Sequence, residues 1–415
     1  MVNIVNNNNK KKRKRISVSI ITLVLVLSAA ALAVVAAALM IMTTTTQQQL
    51  TVKPPPSKHE PAPLLKPVPT AAAGGGRNSN SGTTRTTTTT IMSYQTPLAY
   101  GTKSGKEQTA QLVQQALQAG FRHIVTGGHH ASHNETGVGE GWKRSGLARH
   151  EIFLQTCFVP WNSSGKDFAP QPRDPPRRTL PPTMAQQVHV SVQASLRNLQ
   201  TDYLDAVVFH NFRAQLFDFD EMLLAWRVLE DYVQQGVIRY LGMTSVHDME
   251  HWKRLYYQQA VVKPTILQNR FHSNRQYDVH NQETFRDMNN LQLQRFWLLN
   301  GSSGQGRANR DMAARKNLTP QQLLLAFVMS LGSNTCLVGT HNVQHMRDDV
   351  EIATCYQYAF DSEQERQVYA QKLGFQPKRW DLYHPIMVVG STPQENQREF
   401  ASCRAQFAKS MSMKK

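Results

Sequence analysis

The sequence predicts an α/β protein built around one (β/α)₈ (TIM) barrel, and two observations favour this fold class. Between residues 93 and 355, short runs rich in β-branched and aromatic residues alternate with longer amphipathic stretches of helical periodicity. No G-x-G-x-x-G follows the first of these runs, which disfavours an open dinucleotide-binding sheet. Eight helical stretches and at least seven strands in a region of this size favour a closed parallel barrel.

The elements can be assigned in order along the chain. The predicted strands cover residues 121–125, 152–158, 204–209, 237–241, 265–267, 296–299 and 335–338. The predicted helices cover residues 107–118, 134–145, 185–199, 221–235, 249–258, 284–291, 320–330 and 343–353. Helix ends are marked by Gly120, Gly146, Gly236 and Gly332, and Thr319 with Pro320 predicts a helix start. Functional groups of such barrels lie at the carboxyl ends of the strands. This rule selects Val125, Cys157, His210, Thr244, Gln268, Leu299 and Gly339.

Five segments are predicted along the 415 residues. They are a basic cytoplasmic N-terminus (1–15), a transmembrane signal anchor (16–42), a low-complexity stalk (43–92), the barrel (93–355) and a C-terminal extension (356–415). Residues 16–42 are apolar or small hydroxyl residues, and about 20 apolar residues suffice to cross a bilayer. The basic run at 10–15 should stay cytoplasmic. We therefore expect a single-pass type II membrane protein with a lumenal or extracellular barrel; a processed signal peptide would give the same side.

Composition excludes several classes of function. Residues 43–92 are rich in Thr, Pro, Gln and Gly and predict a disordered stalk. The net charge of +17 is scattered apart from the run at 10–15, so we expect no nucleic-acid partner. Four cysteines show no metal-ligand spacing and indicate neither a zinc site nor a disulfide framework. Sequons that predict a glycoprotein start at Asn134, Asn162, Asn300 and Asn317.

Six collinear motifs carry a resemblance to a known family. They are GFRHIVTGG (120–128), NETGVGEGWKRSG (134–146), SLRNLQTDYLDAVVFH (195–210), GVIRYLGMTS (236–245), LQNRFH (267–272) and LVGTHNVQHMRDDV (337–350). In this order and spacing they resemble the aldo-keto reductases. The resemblance implies a (β/α)₈ barrel that transfers a hydride from NADPH to a carbonyl group. In that chemistry a Tyr hydroxyl delivers the proton, an Asp and a Lys lower its pKa, and a His orients the substrate oxygen.

Most of the catalytic groups that the resemblance implies are replaced in this chain. Val125 stands where the family has its Asp, and Cys157 stands where it has its Lys. The segment that should hold the Tyr is two residues longer than usual, so that either His130 or Ser132 takes its place. His210 alone matches the catalytic tetrad. The expected catalytic candidates are therefore His210 and His130.

The resemblance also selects cofactor-binding positions. Gln268 and the pair Thr244 and Ser245 occupy positions that hold the nicotinamide. On the other side of the cofactor, Gly339, His345 and Asp349 replace the Lys, Arg and Asn that grip the adenosine 2′-phosphate, and Thr340 belongs to the same segment. Loss of both cations removes bidentate phosphate recognition. We expect weak NADP(H) binding.

Three hypotheses for function follow. The first, which we favour, is a pseudoenzyme whose strand-end pocket binds a nucleotide or another small ligand. The second is an active reductase that uses His210 and His130, and the third is a non-catalytic lumenal scaffold for an unknown protein partner. For three further features, a purely structural interpretation stands as an alternative to a functional one. They are the histidines at 129, 130 and 133, the Cys157 thiol, and the Pro-rich insertion at 161–182.

Overall fold

A closed parallel barrel forms the centre of the protein. The computed structural model describes residues 96–103, 105–128, 132–160, 183–210, 218–246, 249–286, 291–299, 307–332, 334–383 and 392–412. Within these ranges eight strands pair in sequence order, and the last strand closes on the first. They are β1 (Leu98–Gly101), β2 (His123–Val125), β3 (Phe153–Phe158), β4 (Leu204–His210), β5 (Ile238–Thr244), β6 (Ile266–Arg270), β7 (Gln292–Phe296) and β8 (Asn334–Val338). The predicted fold class is confirmed.

Helices follow the strands around the outside of the barrel. They are α1 (Thr109–Ala119), α2 (Glu135–Arg144), α3 (Met184–Leu199), α4 (Phe219–Gln234), α5 (Met249–Arg254), α6 (Val279–Arg286), α7 (Arg307–Arg315), α8 (Pro320–Ser330), α9 (Val343–Cys355), α10 (Glu363–Leu373) and α11 (Pro393–Ser412). A π-helical turn, Leu255–Gln259, extends α5, and five short 3₁₀ turns complete the description: Lys106–Gln108, Arg149–Glu151, Ser273–Asp278, Tyr356–Tyr358 and Trp380–Leu382.

The local signals for helix ends are confirmed. Gly120, Gly146, Gly236 and Gly332 all have positive φ, and at Gly120 an added Cβ would lie 3.0 Å from the side chain of Val350. The hydroxyl of Thr319 accepts a hydrogen bond from the backbone N–H of Gln322 and completes a capping box at the start of α8.

Two strands differ from the sequence prediction. The four residues of β1 were too short a run to be recognised, and β7 ends at Phe296, where the predicted strand 296–299 begins. The sequence QLQRF of β7 is polar, yet Gln292, Gln294 and Arg295 are all at most 1% exposed. An apolar run was expected because barrel interiors are usually filled by branched apolar residues. Here the interior is polar on one side.

Hydrogen-bonded amides fill that polar side of the barrel interior. Gln155 on β3 and Gln294 on β7 exchange two side-chain hydrogen bonds of 2.7 Å across the barrel. Below them, His123 Nε2 lies 3.2 Å from Gln155 Oε1, and burial lowers the pKa of His123 to about 4. A separate apolar cluster of Ala206, Val208 and Ile266 fills the interior at β4 and β6. The barrel interior is therefore polar beside β3 and β7 and apolar beside β4 and β6.

The C-terminal extension packs on the barrel through α9. Cys355 at the end of α9 forms a disulfide with Cys403 of α11, and the Arg404 guanidinium lies 2.9 Å from the Glu351 carboxylate. The cysteine spacing, which indicated no disulfide framework, did not predict this bond. The partners are 48 residues apart, and no short spacing pattern announces such a pair.

The predicted localisation, a type II single-pass membrane protein, is corrected. Among the residues that the structure describes, no helix is both long and apolar enough to cross a bilayer. The segment 16–42, on which the anchor prediction rests, lies outside the described residues, as do the stalk at 43–92 and the insertion at 161–182. Of the sequon asparagines, Asn134 and Asn317 are described, and the Asn134 side chain caps α2 by accepting a hydrogen bond from the Gly137 N–H.

Candidate ligand-binding site at the strand ends

A cavity of about 560 Å³ opens at the carboxyl ends of the strands. This volume lies within the range of about 300–1,000 Å³ that is typical of small-molecule sites. The sequence-predicted residues that the structure brings together here are Val125, Cys157, His210, Thr244, Ser245, Gln268, Leu299 and Gly339. Strand alternation explains the grouping on β2 and β3, because residues two apart face the same side. Val125 follows the interior His123 in this way, and Cys157 follows the interior Gln155.

A row of polar side chains crosses the cavity from β4 to β6. His210 pairs with Thr244 in the sheet register, and Thr244 pairs with Gln268. The Ser245 hydroxyl lies 3.4 Å from His210 Nε2, and its backbone N–H donates to the Gln268 carbonyl oxygen at 2.9 Å. Ser245 adopts φ +59°, a left-handed conformation that is uncommon for a residue other than glycine. The row can present a hydroxyl, an imidazole and an amide to a bound ligand.

The orientation of the Gln268 amide is set from below. Its Nε2 donates a 2.8 Å hydrogen bond to Gln294 Oε1, and that same oxygen accepts from Gln155 Nε2. Because the amide nitrogen faces the interior network, the Gln268 oxygen is the atom left towards the cavity. The side chain therefore offers an acceptor to a ligand that carries an N–H or O–H donor.

The other side of the cavity lacks the charges of the family's tetrad. Val125 at the end of β2 is 6% exposed and apolar. Burial raises the pKa of the Cys157 thiol above its ordinary value, and the carboxylate of Glu135 raises it further. That carboxylate is buried and accepts hydrogen bonds from Thr156 Oγ1 at 2.6 Å and Ser195 Oγ at 2.8 Å. Cys157 is therefore a neutral thiol near pH 7 and supplies no positive charge.

The loop after β2 brings two polar residues to the cavity. Ser132 and His133 both line it, and Ser132 Oγ lies 3.1 Å from His133 Nδ1. Of the two alternatives for the tyrosine position, the structure places Ser132 at the site, whereas His130 lies outside the described residues. His133 was not among the predicted site residues, although it belongs to the histidine group noted in the sequence.

Sequence reasoning also missed a group of residues at the ends of β1, β6 and β7. They are Lys103, Arg270, Phe296 and Trp297. One signal could have found Arg270, because it lies two residues after Gln268 on the same strand and must share its face. Trp297 was hidden inside the strand predicted at 296–299. In the structure it lies directly after β7 and has φ +65°.

The positions predicted to hold the adenosine phosphate divide into one lining residue and three that lie elsewhere. Gly339 lines the cavity, and a Cβ there would lie 2.9 Å from the Gly101 carbonyl oxygen, so β1 and β8 leave no room for a lysine side chain. Thr340 accepts a hydrogen bond from the Tyr100 hydroxyl through its carbonyl oxygen. Neither glycine nor a backbone carbonyl supplies the positive charge that a phosphate requires.

His345 and Asp349 lie on α9 and do not replace the positive charge that is missing at Gly339. The backbone N–H groups of Gln344 and His345 donate to the Asn342 side chain that caps the helix. Asp349 is 6% exposed, and burial, followed by the nearby Asp348 carboxylate, raises the pKa of Asp349 to about 7. The nicotinamide side of the site thus fits a nucleotide better than the phosphate side does.

Comparison with known families assigns a large part of the barrel to one family. The profile of the aldo/keto reductase family matches residues 93–293. This chain carries an aldo/keto reductase family domain. The match ends within β7, so the segment from β8 to α9, which holds the positions predicted for the phosphate-binding groups, lies beyond it.

Three curated relatives share about a quarter to a third of the aligned residues with this chain. The chain is 28% identical over 185 residues to an uncharacterized oxidoreductase of Schizosaccharomyces pombe. The alignment covers 41% of this chain and 50% of that relative. It is 26% identical to the putative methylglyoxal reductase DkgA of Salmonella typhi, covering 55% of this chain and 74% of the relative. It is 30% identical to the glyoxal reductase of Bacillus subtilis, and the alignment covers 42% of this chain and 52% of that relative. The chain spans about half the length of two of these three relatives.

Solved structures show the same fold. An aldo/keto reductase from Brucella melitensis superposes with a TM-score of 0.53 at 21% identity, covering 67% of this chain and 94% of the other. An aldo/keto reductase from Klebsiella pneumoniae in complex with NADP and acetate gives a TM-score of 0.52 at 22% identity, covering 68% and 93%. At this level of identity the likeness supports the barrel architecture and nothing finer.

Proposed function

We propose that this aldo/keto reductase-like domain binds NADP(H), weakly, or another small ligand in its strand-end pocket, with carbonyl reductase activity that is lost or strongly altered. The observation that carries this proposal is that Val125 and Cys157 line the cavity at the ends of β2 and β3. A proton donor for carbonyl reduction works best when neighbouring charges bring its pKa near the working pH. A valine and a neutral thiol provide no such charges.

The ligand side of the proposal rests on Gln268, Ser245 and the aromatic residues at the end of β7. A nicotinamide carries a planar ring and an amide N–H₂ group, which suit a ring face and a hydrogen-bond acceptor respectively. Phe296 lines the cavity and offers a ring, and the Gln268 oxygen offers the acceptor. When bound, the nicotinamide would supply the hydride chemistry of the family. The missing cations at Gly339 and His345 support weak binding of the adenosine phosphate end.

The experiment is calorimetric titration of the full chain with NADPH and with NADH, followed by a turnover assay. Glyoxal and methylglyoxal are suitable carbonyl compounds because relatives bear the names of their reductases. We expect saturable NADPH binding without turnover above the uncatalysed rate. Turnover that disappears in His210→Ala would contradict the loss of activity, and absence of nucleotide binding would contradict the cofactor part.

A second candidate function is a reductase with a histidine acid. The specific observation in its favour is that His133 and His210 both line the cavity. An imidazole titrates near neutral pH and can deliver a proton in place of a tyrosine hydroxyl. This candidate predicts turnover that falls as pH rises through the histidine pKa. The rate should drop at least about 100-fold in His133→Ala, since general acid catalysis contributes about 10²- to 10⁴-fold.

A further inference from the structure

Arg270 places a positive charge in the cavity on the side opposite to the tetrad positions. It is the last residue of β6, two residues after Gln268, and both side chains line the cavity. Strand alternation requires this arrangement, because residues two apart on a strand face the same side. A ligand that meets the Gln268 amide therefore lies within reach of the same strand's guanidinium.

Aromatic rings hold the Arg270 guanidinium in position. Its central carbon lies 4.0 Å from the centroid of the Trp297 ring and 6.0 Å from that of Phe296. Stacking of a planar guanidinium on an aromatic face leaves its N–H edge open for a second partner. The cation is thus oriented before any ligand binds.

Trp297, which contacts Arg270, has an unfavourable backbone conformation. Its φ is +65°, and its side chain is 36% exposed, large values for a bulky aromatic residue. Left-handed backbone at such a residue is unfavourable and persists where the surroundings impose it, which is characteristic of binding sites. The positive φ of Trp297 and the contact of its ring with Arg270 are two independent observations at the same end of β7.

The charges around the cavity are of one sign. Arg270 and Lys103 are the charged residues that line it, and no Asp or Glu is among the described lining residues. The adjacent strand gives a contrast, because Arg295 of β7 forms a 2.7 Å ion pair with Asp278. Among the ion pairs of the described residues, none includes Arg270. The surplus charge calls for an anionic ligand.

We propose that the Arg270 guanidinium, stacked on Trp297, binds an oxyanion, a carboxylate or a phosphate, of the pocket's ligand. The inference rests on the proposed function, since it concerns the same cavity, and it specifies the ligand class as anionic. The subsite lies at the ends of β6 and β7. It is therefore separate from the β8 and α9 positions at which the family resemblance expects the 2′-phosphate.

The test is calorimetric titration of the full chain with two matched pairs of probes. Benzoate against benzamide isolates a carboxylate, and nicotinamide mononucleotide against nicotinamide riboside isolates a phosphate. Each pair is measured with wild type, Arg270→Gln, Arg270→Lys and the control Arg275→Gln, which removes the same charge from an exposed residue outside the cavity. Hydrogen bonds to charged groups imply that Arg270→Gln weakens the anionic probe about 10- to 100-fold.

The outcomes separate the two sources of the anion. Selective loss of benzoate affinity in Arg270→Gln assigns the subsite to a carboxylate of a small ligand, whereas selective loss of nicotinamide mononucleotide affinity assigns it to a nucleotide phosphate. Arg270→Lys should retain part of the affinity, because it keeps the charge and loses the planar fork. If Arg270→Gln does not fold, the Arg270→Lys result decides alone, and unchanged affinity then overturns the proposal.

Three results contradict the inference. They are equal binding of the charged and neutral probes to wild type, equal losses in Arg270→Gln and Arg275→Gln, and no binding of either anion. NADPH binding is measured in the same series. If NADPH still binds while the anion effect is absent, only this inference fails; if NADPH does not bind either, the proposed cofactor fails as well.

Discussion

The two sides of the strand-end cavity have opposite character. At the ends of β2 and β3, Val125 and Cys157 present an apolar chain and a neutral thiol. At the ends of β6 and β7, Gln268 and Arg270 present an oriented amide and a stacked guanidinium above a buried amide network. Val125 and Cys157 therefore supply no charge on one side, whereas the other side presents recognition groups. This difference is what a pocket that binds without reducing would need.

The largest expected effect is on the stability of the buried polar contacts behind the β6 and β7 side, where Arg295 pairs with Asp278. Arg295→Met should lower the free energy of unfolding by about 3–5 kcal/mol, because it leaves the Asp278 carboxylate buried without its cation. Arg295 is fully buried and also donates to Asn334 Oδ1 at 3.1 Å. Chemical denaturation gives the value.

The control for this substitution is Arg239→Met. Arg239 is one-third exposed, and its partner Asp205 retains a second ion pair with Arg149 at 2.7 Å. Its loss should lower stability by about 1 kcal/mol or less. Equal losses of stability in the two variants would show that the buried Arg295–Asp278 ion pair contributes no more than the partly exposed Arg239–Asp205 pair.

The next effect concerns the pH dependence of stability at α9. The pKa of Asp349 is raised to about 7 in the folded chain from an ordinary value of 3.8. The folded state therefore keeps a proton that the unfolded chain releases, so this group's contribution is fully present below pH 3.8 and is lost as pH rises through 7. The loss amounts to at most about 4 kcal/mol.

Asp349→Asn should remove that part of the pH dependence. Denaturation curves for wild type and variant should converge at low pH and separate towards pH 8, with the variant more stable. Asp348→Asn is a graded comparison, since it removes only the smaller cause of the shift. Parallel pH profiles of wild type and Asp349→Asn would refute the assignment.

A smaller effect links the network to the pocket. Gln294→Leu removes the acceptor of Gln268 Nε2 and should lower stability by about 1–3 kcal/mol, because buried amides lose their partners. NADPH affinity should fall as well, since the Gln268 amide is then free to turn. Thr335→Val, which removes the acceptor of the Gln292 amide at 2.7 Å, is the matched control away from Gln268. It should affect stability without changing NADPH affinity.

The smallest effect is expected on the tetrad side. Cys157→Ala should change NADPH affinity less than about 2-fold, or about 0.4 kcal/mol. The raised pKa of its thiol also predicts slow alkylation by iodoacetamide at pH 8, since the thiolate is the reactive form. Rapid alkylation of Cys157, located by mass spectrometry, would mean that this side of the cavity holds a reactive group after all.

The fold could be predicted from local signals in the sequence. Glycines with positive φ, the Thr319 cap and the alternating periods fixed most helices, because each depends on a few neighbouring residues. The polar strand β7 could not be recognised, since its glutamines have partners on β3 and β6 that only the closed barrel supplies. The Cys355–Cys403 disulfide was missed for the same reason, as its partners meet only after α11 packs on α9.

The site was predictable in part. The residues aligned with the family at β2 to β6 do meet in one cavity, because strand ends of a parallel barrel converge. Arg270 was missed although its place two residues after Gln268 could have indicated it. Trp297 was missed because its positive φ and its contact with Arg270 arise only in the folded chain. Asp349 was expected to contact the cofactor but is buried, which follows from its place on the inner face of α9.

The most direct test of the difference between the two sides is a parallel NADPH titration of Gln268→Leu and His210→Leu in the full chain. The retained recognition side predicts about a 10-fold loss of affinity in Gln268→Leu and a change of less than about 2-fold in His210→Leu, consistent with one lost hydrogen bond. A larger loss in His210→Leu, together with measurable carbonyl turnover in wild type, would place the working chemistry on the β4 side and contradict this account.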